Sequence, residues 1–317
     1  MKKNPDTAAV LSRSPVGGNL GIHVRRAYRA ARAEKNRAPL LRAILSGTKS
    51  KAQADKVLRA QPPFKPDPTK IIIDVTHFCN MHCQNCNRSC GGDQANAQEH
   101  MTVDQIKRFV RESISQKRRW SEIMLEGGEP TLNPHILDIV DELVRYKRQH
   151  SPKTRLALCT NGYCKPTRRI MEKMPPEVDV VDSGKETAVQ DHHRNFNVAP
   201  IDLRPDDCAE FSNGCVLPCI YGIGLNRYGY YPHPICGAID RVFGHDVGRK
   251  SLPEVDDTLA DMYQHLCRYC GHFWDSTSLE EPAVSDSDEV KDGPPRTASW
   301  RRAYGSYDKS APNLRLY

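Results

Sequence analysis

The segment THFCNMHCQNC places three thiols at Cys79, Cys83 and Cys86, spaced by three residues and then by two. Thiolates are ligands that iron–sulfur clusters and zinc share. A loop of this length can wrap one face of a cubane cluster and give one thiolate to each of three irons. Three ligands rather than four leave one iron open, and an open site is what catalysis requires. A tetrahedral zinc is the other reading, with His77, His82 or Cys90 as fourth ligand.

Several other polar motifs fall where apolar runs stop. Ile71–Thr76 reads as a strand buried on both faces, interrupted only by Asp74, and the cysteines follow it directly. Thr102 and Gln105 form a capping box, with Ile106, Phe109, Val110 and Ile114 at helical spacing behind it. Ile123–Leu125 predicts a second strand, ending near Gly127-Gly128-Glu129-Pro130. Asn133 is expected to cap the next helix, with Pro134 in its first turn. Leu156–Thr160 predicts a third strand that runs into Thr160-Asn161-Gly162, and Thr167–Met174 a short helix. Val178–Asp182 is a fourth strand before Ser183, and Val198–Leu203 a candidate fifth. This alternation implies a parallel sheet with right-handed crossovers. The expected fold class is α/β, a partial (β/α)6 TIM-like barrel with a small cysteine-rich C-terminal extension. Chemistry in such barrels sits where the strands end.

Taken in this order, CxxxCxxC, GGEP and TNG resemble the signature of the radical S-adenosylmethionine (radical SAM) superfamily over residues 70–205. The resemblance implies an open-site 4Fe–4S cluster on Cys79, Cys83 and Cys86, with S-adenosyl-L-methionine as cofactor. Gly127, Gly128, Glu129 and Pro130 would face the methionine amino group, and Ser183 the ribose, with Asn161 in the TNG turn also at the cofactor. Asn85 stands where the family usually has an aromatic residue, so its contact with adenine would run through backbone. Cys219, Cys236, Cys267 and Cys270 resemble the twitch form of the SPASM extension, which binds an auxiliary 4Fe–4S cluster. Gly229 lies seven residues before Cys236 where the family commonly has five. Cys208 and Cys215 are extra, and Cys215 is able to replace Cys219. A four-cysteine zinc knot is the alternative.

The implied chemistry is reductive cleavage of the cofactor to a 5′-deoxyadenosyl radical, which takes hydrogen from an unactivated C–H bond. The leading expectation is a radical SAM oxidoreductase acting on a small polar molecule, such as dehydrogenation of a sugar-like alcohol. Lys185, Glu186, Tyr230, Tyr231 and His233 are candidate bases for the hydroxyl proton. Maturation of a ribosomal peptide is a second expectation. A non-catalytic, zinc-stabilised module that binds nucleic acid is a third, from another class.

Composition sets the frame. Twelve cysteines in a 317-residue chain without a recognisable export signal point to metal or redox work in a reducing, cytoplasmic setting. No apolar run approaches the ~20 residues of a membrane span. The net charge of +7 is uneven, because residues 1–66 hold more than all of the basic excess and the rest of the chain is net negative. The expected organisation is a basic helical arm at 1–66, partly disordered, and a barrel core at 67–205. An auxiliary-cluster segment follows at 206–274, then a disordered tail at 275–317. The expected partners are a small-molecule substrate and an electron donor such as flavodoxin or ferredoxin, with neither membrane nor nucleic acid.

Overall fold

The computed structural model describes residues 64–83, 85–91, 98–188, 196–203, 211–215, 217–273, 296–309 and 312–317. Almost all of the predicted basic arm, and Cys208, lie outside the described residues.

Six strands form one sheet in the order β4-β3-β2-β1-β5-β6. They are β1 (Lys70–Asp74), β2 (Glu122–Glu126), β3 (Arg155–Thr160), β4 (Val178–Asp182), β5 (Ile223–Asn226) and β6 (Gly229–Tyr231). The first five run parallel, and β6 folds back antiparallel on β5. Registers such as Ile71↔Ile123 and Leu125↔Leu158 keep like faces together. Helices α1 (Val103–Ser115) and α2 (Ile136–His150) cover the outer face. Ile106, Phe109, Ile139 and Leu143 pack there with Ile71, Ile73, Ile123, Leu125, Leu156 and Leu158. Because strand side chains alternate, Ile72, Asp74, Met124, Glu126 and Cys159 face the inner side. Met124, Glu126 and Cys159 are only half-buried, so the inner face between β2 and β3 is reached by water.

The capping box of α1 is present as expected. Asn133 does not cap α2, which starts at Ile136. Its buried amide instead donates to the carbonyls of Val75 (2.8 Å) and Met101 (3.0 Å), tying β1 to the loop before α1. The short helix after β3 is α3 (Lys165–Met171).

The later chain departs from expectation in its strands and in its tail. Residues Pro200–Leu203 form a helical turn, α4, and not a fifth strand. The fifth strand is β5, which adds to the opposite edge beside β1, after the short helix α5 (Leu217–Tyr221). The sheet is therefore not built from six successive βα units. The cysteine-rich segment also buries a core of its own. Helices α6 (Pro234–Phe243) and α7 (Ala260–Leu266) bring Ile235, Ile239, Met262 and Leu266 against Phe196 and Trp300. Gly224 allows this, since a Cβ there would lie 2.5 Å from the Pro234 nitrogen as α6 starts across the inner face.

Finally, the supposed tail contributes α8 (Ala298–Ser306), whose Trp300 is fully buried and donates to the Tyr269 carbonyl at 2.8 Å. Truncating Trp300 to alanine is expected to cost about 3–5 kcal/mol, read as a lower urea midpoint.

Candidate active site and second cysteine group

The loop after β1 is clasped by the loop after β2. The Gly128 amide donates to the Thr76 carbonyl (2.8 Å) and the Glu129 amide to that of Phe78 (2.9 Å). A Cβ on Gly127 or Gly128 would lie 2.2 Å from the Thr76 or Phe78 carbonyl oxygen. Both glycines are thus required for the GGEP loop to lie against the cysteine loop. Asn85 has φ 51°. Asn tolerates this left-handed region better than most residues do.

Glu129 is fully buried and joins three strand ends. One carboxylate oxygen accepts from the Thr131 amide (3.1 Å), the Thr131 hydroxyl (2.7 Å) and the Thr160 hydroxyl (2.7 Å). The other accepts from the Asn161 amide at 2.8 Å. Three of these four donors share one oxygen, so the other keeps an acceptor position. Glu129 therefore holds the TNG turn to the GGEP loop, and Pro130 opens the buried 3₁₀ turn that follows. The Asn161 amide group donates to the Asn80 side chain at 2.9 Å, between Cys79 and Cys83. Exposed Ser183 donates through its hydroxyl to the Thr160 carbonyl at 2.9 Å. The Lys185 backbone amide donates to the Asn161 carbonyl at 3.1 Å, while Glu186 is exposed beside it. The predicted motifs thus converge at one end of the sheet.

Burial pushes the Cys79 thiol up to about 12, and Cys86, Glu129 and Cys83 add to this. Clustered thiols that resist ionising alone suit a cationic cluster, which pays for their deprotonation on binding. Cys90 is buried, donates to the Arg88 carbonyl (3.2 Å) and is hydrogen-bonded to Cys86. Among the described residues no three His, Cys, Asp or Glu converge as ligands of a single ion. A four-iron cluster sets its thiolates wider apart, because each takes a different iron.

Two buried ionic groups escaped the sequence reading. Arg88, two residues past Cys86, bonds Asp74 (3.2 Å) at the end of β1 and Glu126 (2.9 Å) at the end of β2. Burial raises the Glu126 carboxyl above its ordinary range against the pull of Arg88. The other group pairs fully buried Arg241 of α6 with Glu99 at 3.0 Å. Burial alone would raise Glu99, but Arg241 and His77 outweigh it and hold the carboxyl down to about 2. A depressed carboxyl contributes stability above its unfolded value of about 4.3. That share is expected to disappear between about pH 4.5 and 2, and Glu99→Gln should flatten the acid limb of an unfolding curve over this window. The signal for both groups was a lone charge in an apolar context, as at Asp74, but its partner is distant in sequence.

Two of the candidate bases, Tyr230 and Tyr231, are corrected, and the third, His233, is buried near Arg88. The Tyr230 hydroxyl donates to Glu112 of α1 (2.7 Å) and meets the Tyr317 hydroxyl (3.0 Å), in the core on the outer face. Tyr231 donates to Asp240 at 2.8 Å, inside the second core. His233 is the N-cap of α6, its Nδ1 accepting from the Ile235 amide at 3.3 Å. Burial, aided by Arg88, holds its imidazole well below the ordinary value and hence neutral.

The later cysteines gather around α6 and α7, and none of the described cysteines forms a disulfide. Cys267 is raised by a hydrogen bond to Cys236, by burial, and by Cys236, Cys215 and Cys270 nearby. Burial raises Cys270 too, with Cys215 and Cys236 adding to it. The fourth predicted member, Cys219, donates to the Lys65 carbonyl at 3.0 Å. Cys215, Cys236, Cys267 and Cys270 act on one another, with Cys219 also close to Tyr263 beside them, soft ligands of the kind a second cluster takes.

Residues 73–203 match the family model described as the radical SAM superfamily. Over 94 residues, 30% of this chain, it is 33% identical to a probable GTP 3',8-cyclase of Pyrococcus horikoshii, of which the match covers 27%. It is 29% identical over 100 residues, 32% of this chain, to the GTP 3',8-cyclase of Haemophilus ducreyi, covering 28% of that protein. The chain thus spans just over a quarter of the length of these relatives. Among solved structures, that of BtrN in complex with AdoMet and 2-DOIA aligns at 13% identity and a TM-score of 0.32. That alignment covers 68% of this chain and 87% of the other. No helix among the described residues is long and apolar enough to cross a membrane.

Proposed function

From the premise that residues 73–203 are a radical SAM domain, we propose that this chain is an enzyme that removes hydrogen from an alcohol carbon of a small polar substrate. The observation that carries this reading is the junction at Glu129, whose backbone amide bonds the cysteine loop at Phe78 and whose carboxylate bonds the TNG turn. When bound, the cluster and cofactor supply reductive cleavage of a sulfonium and hydrogen-atom abstraction.

Cys79, Cys83 and Cys86 hold that cluster. Backbone carbonyls of the GGEP loop and the less occupied oxygen of Glu129 accept from the cofactor ammonium. Asn161 and Ser183 lie on the same rim. Glu126 lies directly before the GGEP loop on the half-open inner face, and its raised carboxyl fits it to accept a hydroxyl proton. Lys185 is the other candidate on the rim. The group at Cys215, Cys236, Cys267 and Cys270 holds an auxiliary 4Fe–4S cluster suited to take the remaining electron. A small electron carrier, such as flavodoxin or ferredoxin, serves the first cluster.

The test is anaerobic reconstitution, iron analysis, then dithionite with S-adenosylmethionine. About eight irons per chain and release of 5′-deoxyadenosine are expected. Zinc without iron, or an intact cluster with no 5′-deoxyadenosine, refutes the reading. Glu126→Gln is expected to leave cluster assembly intact and to slow turnover of an alcohol substrate by about 10²-fold or more.

The match to GTP 3',8-cyclases favours a second reading, rearrangement of a nucleotide. The acidic pair Asp74 and Glu126, with one arginine between them, suits a triphosphate poorly. Turnover of GTP would favour the second reading over the first.

A further inference from the structure

Arg241 is fully buried on α6 and touches nothing that the proposed chemistry uses directly. Its guanidinium nonetheless spans three parts of the chain. One nitrogen donates to the carbonyls of Arg88 (3.2 Å) and Ser89, immediately beyond Cys86. The other donates to Glu99 (3.0 Å) and to the Tyr307 hydroxyl. Glu99 in turn accepts from the Tyr228 hydroxyl at 2.7 Å and pairs with His77, two residues before Cys79. The cysteine loop is therefore gripped on both sides by one buried ion pair. A second contact comes from α8, where the Tyr304 hydroxyl meets Ser89 at 2.8 Å.

The same helix carries Cys236, five residues before Arg241. Cys236 belongs to the second cysteine group, and Arg241 to the first loop. A guanidinium offers a rigid fork of donors, which suits it to holding two adjacent carbonyls in place. An ion pair at such depth is expensive to desolvate and is weak evidence for stability alone. Its placement between the two cysteine groups calls for another role.

We propose that Arg241 is a positioning residue that fixes the loop carrying Cys79, Cys83 and Cys86 and tunes the charge around it, so that α6 binds the two cysteine groups into one unit. The inference rests on the radical SAM reading for what the loop holds. Cluster potentials respond to net charge and hydrogen bonding in their surroundings. A buried positive charge favours the reduced cluster, which is the more negative form, and a buried carboxylate opposes it. Arg241 and Glu99 must then act with opposite sign.

The experiment is a redox titration of the reconstituted full chain followed by electron paramagnetic resonance. The first cluster is identified by its spectral response to S-adenosylmethionine. Arg241→Met is expected to move its midpoint negative and to weaken that response. Glu99→Gln should move the midpoint positive, and Arg241→Lys should restore most of the potential but less of the response. Midpoints that stay put, or that move in the same direction in the Met and Gln variants, overturn the proposal. Should Arg241→Met not fold, Glu99→Gln decides alone, with a positive shift in support and no shift or a negative one against. A wild type with no iron on the triad refutes the radical SAM reading beneath it. A loaded wild type with unshifted variants refutes only this inference.

Discussion

Replacing Cys83 with alanine is expected to abolish 5′-deoxyadenosine formation, whereas replacing Cys90 should leave it. Both thiols lie in the loop after β1, and spacing alone cannot separate them. Their surroundings do. Cys83 is half-buried, in the loop that the Asn80–Asn161 hydrogen bond ties to the TNG turn. Cys90 is fully buried behind the loop, donates to the Arg88 carbonyl and lies near Arg241. Its hydrogen goes to the Arg88 carbonyl, which leaves Cys90 a neutral neighbour of Cys86 and not a fourth ligand. Product analysis after dithionite reduction checks both variants. Loss of product in Cys90→Ala, with the protein folded, would mean four protein ligands and no open iron.

Replacing Cys215 with alanine should remove about four of the roughly eight irons per chain. Replacing Cys219 should remove none. Cys267 and Cys270 are both raised by neighbouring Cys215 and Cys236, which places these thiols together. Cys219 spends its hydrogen on the Lys65 carbonyl. Iron analysis of the two variants separates the alternatives in one measurement. A loss of iron in Cys219→Ala and not in Cys215→Ala would return the ligand set to the one that sequence order favours.

The parts of this molecule that were legible in the sequence are those whose causes are local. Strand β4 occurs at Val178–Asp182, as its apolar run implies. The α1 capping box forms because its four residues contain everything it needs. CxxxCxxC, GGEP and TNG are short loops at strand ends, and a parallel sheet brings such loops to one edge whatever lies between them. What stayed hidden depends on partners far apart in sequence. Strand β5 is four residues long and has meaning only beside β1. The tail looked structureless because Trp300 shows its partners, Phe196, Phe243 and the Tyr269 carbonyl, only in three dimensions.

The same division applies at the site. The types and spacing of Cys79, Cys83 and Cys86, and the order of motifs after them, pointed to the family whose model matches residues 73–203, because a short loop motif is a local property. Only the tertiary structure decided that Glu129 is tied to the neighbouring loops and that Tyr230 and Tyr231 belong to cores. It also brought Arg88 to Asp74 and Glu126, and Arg241 to Glu99. Charges buried in a core must find partners wherever the packed chain offers them, and a linear sequence does not contain those distances.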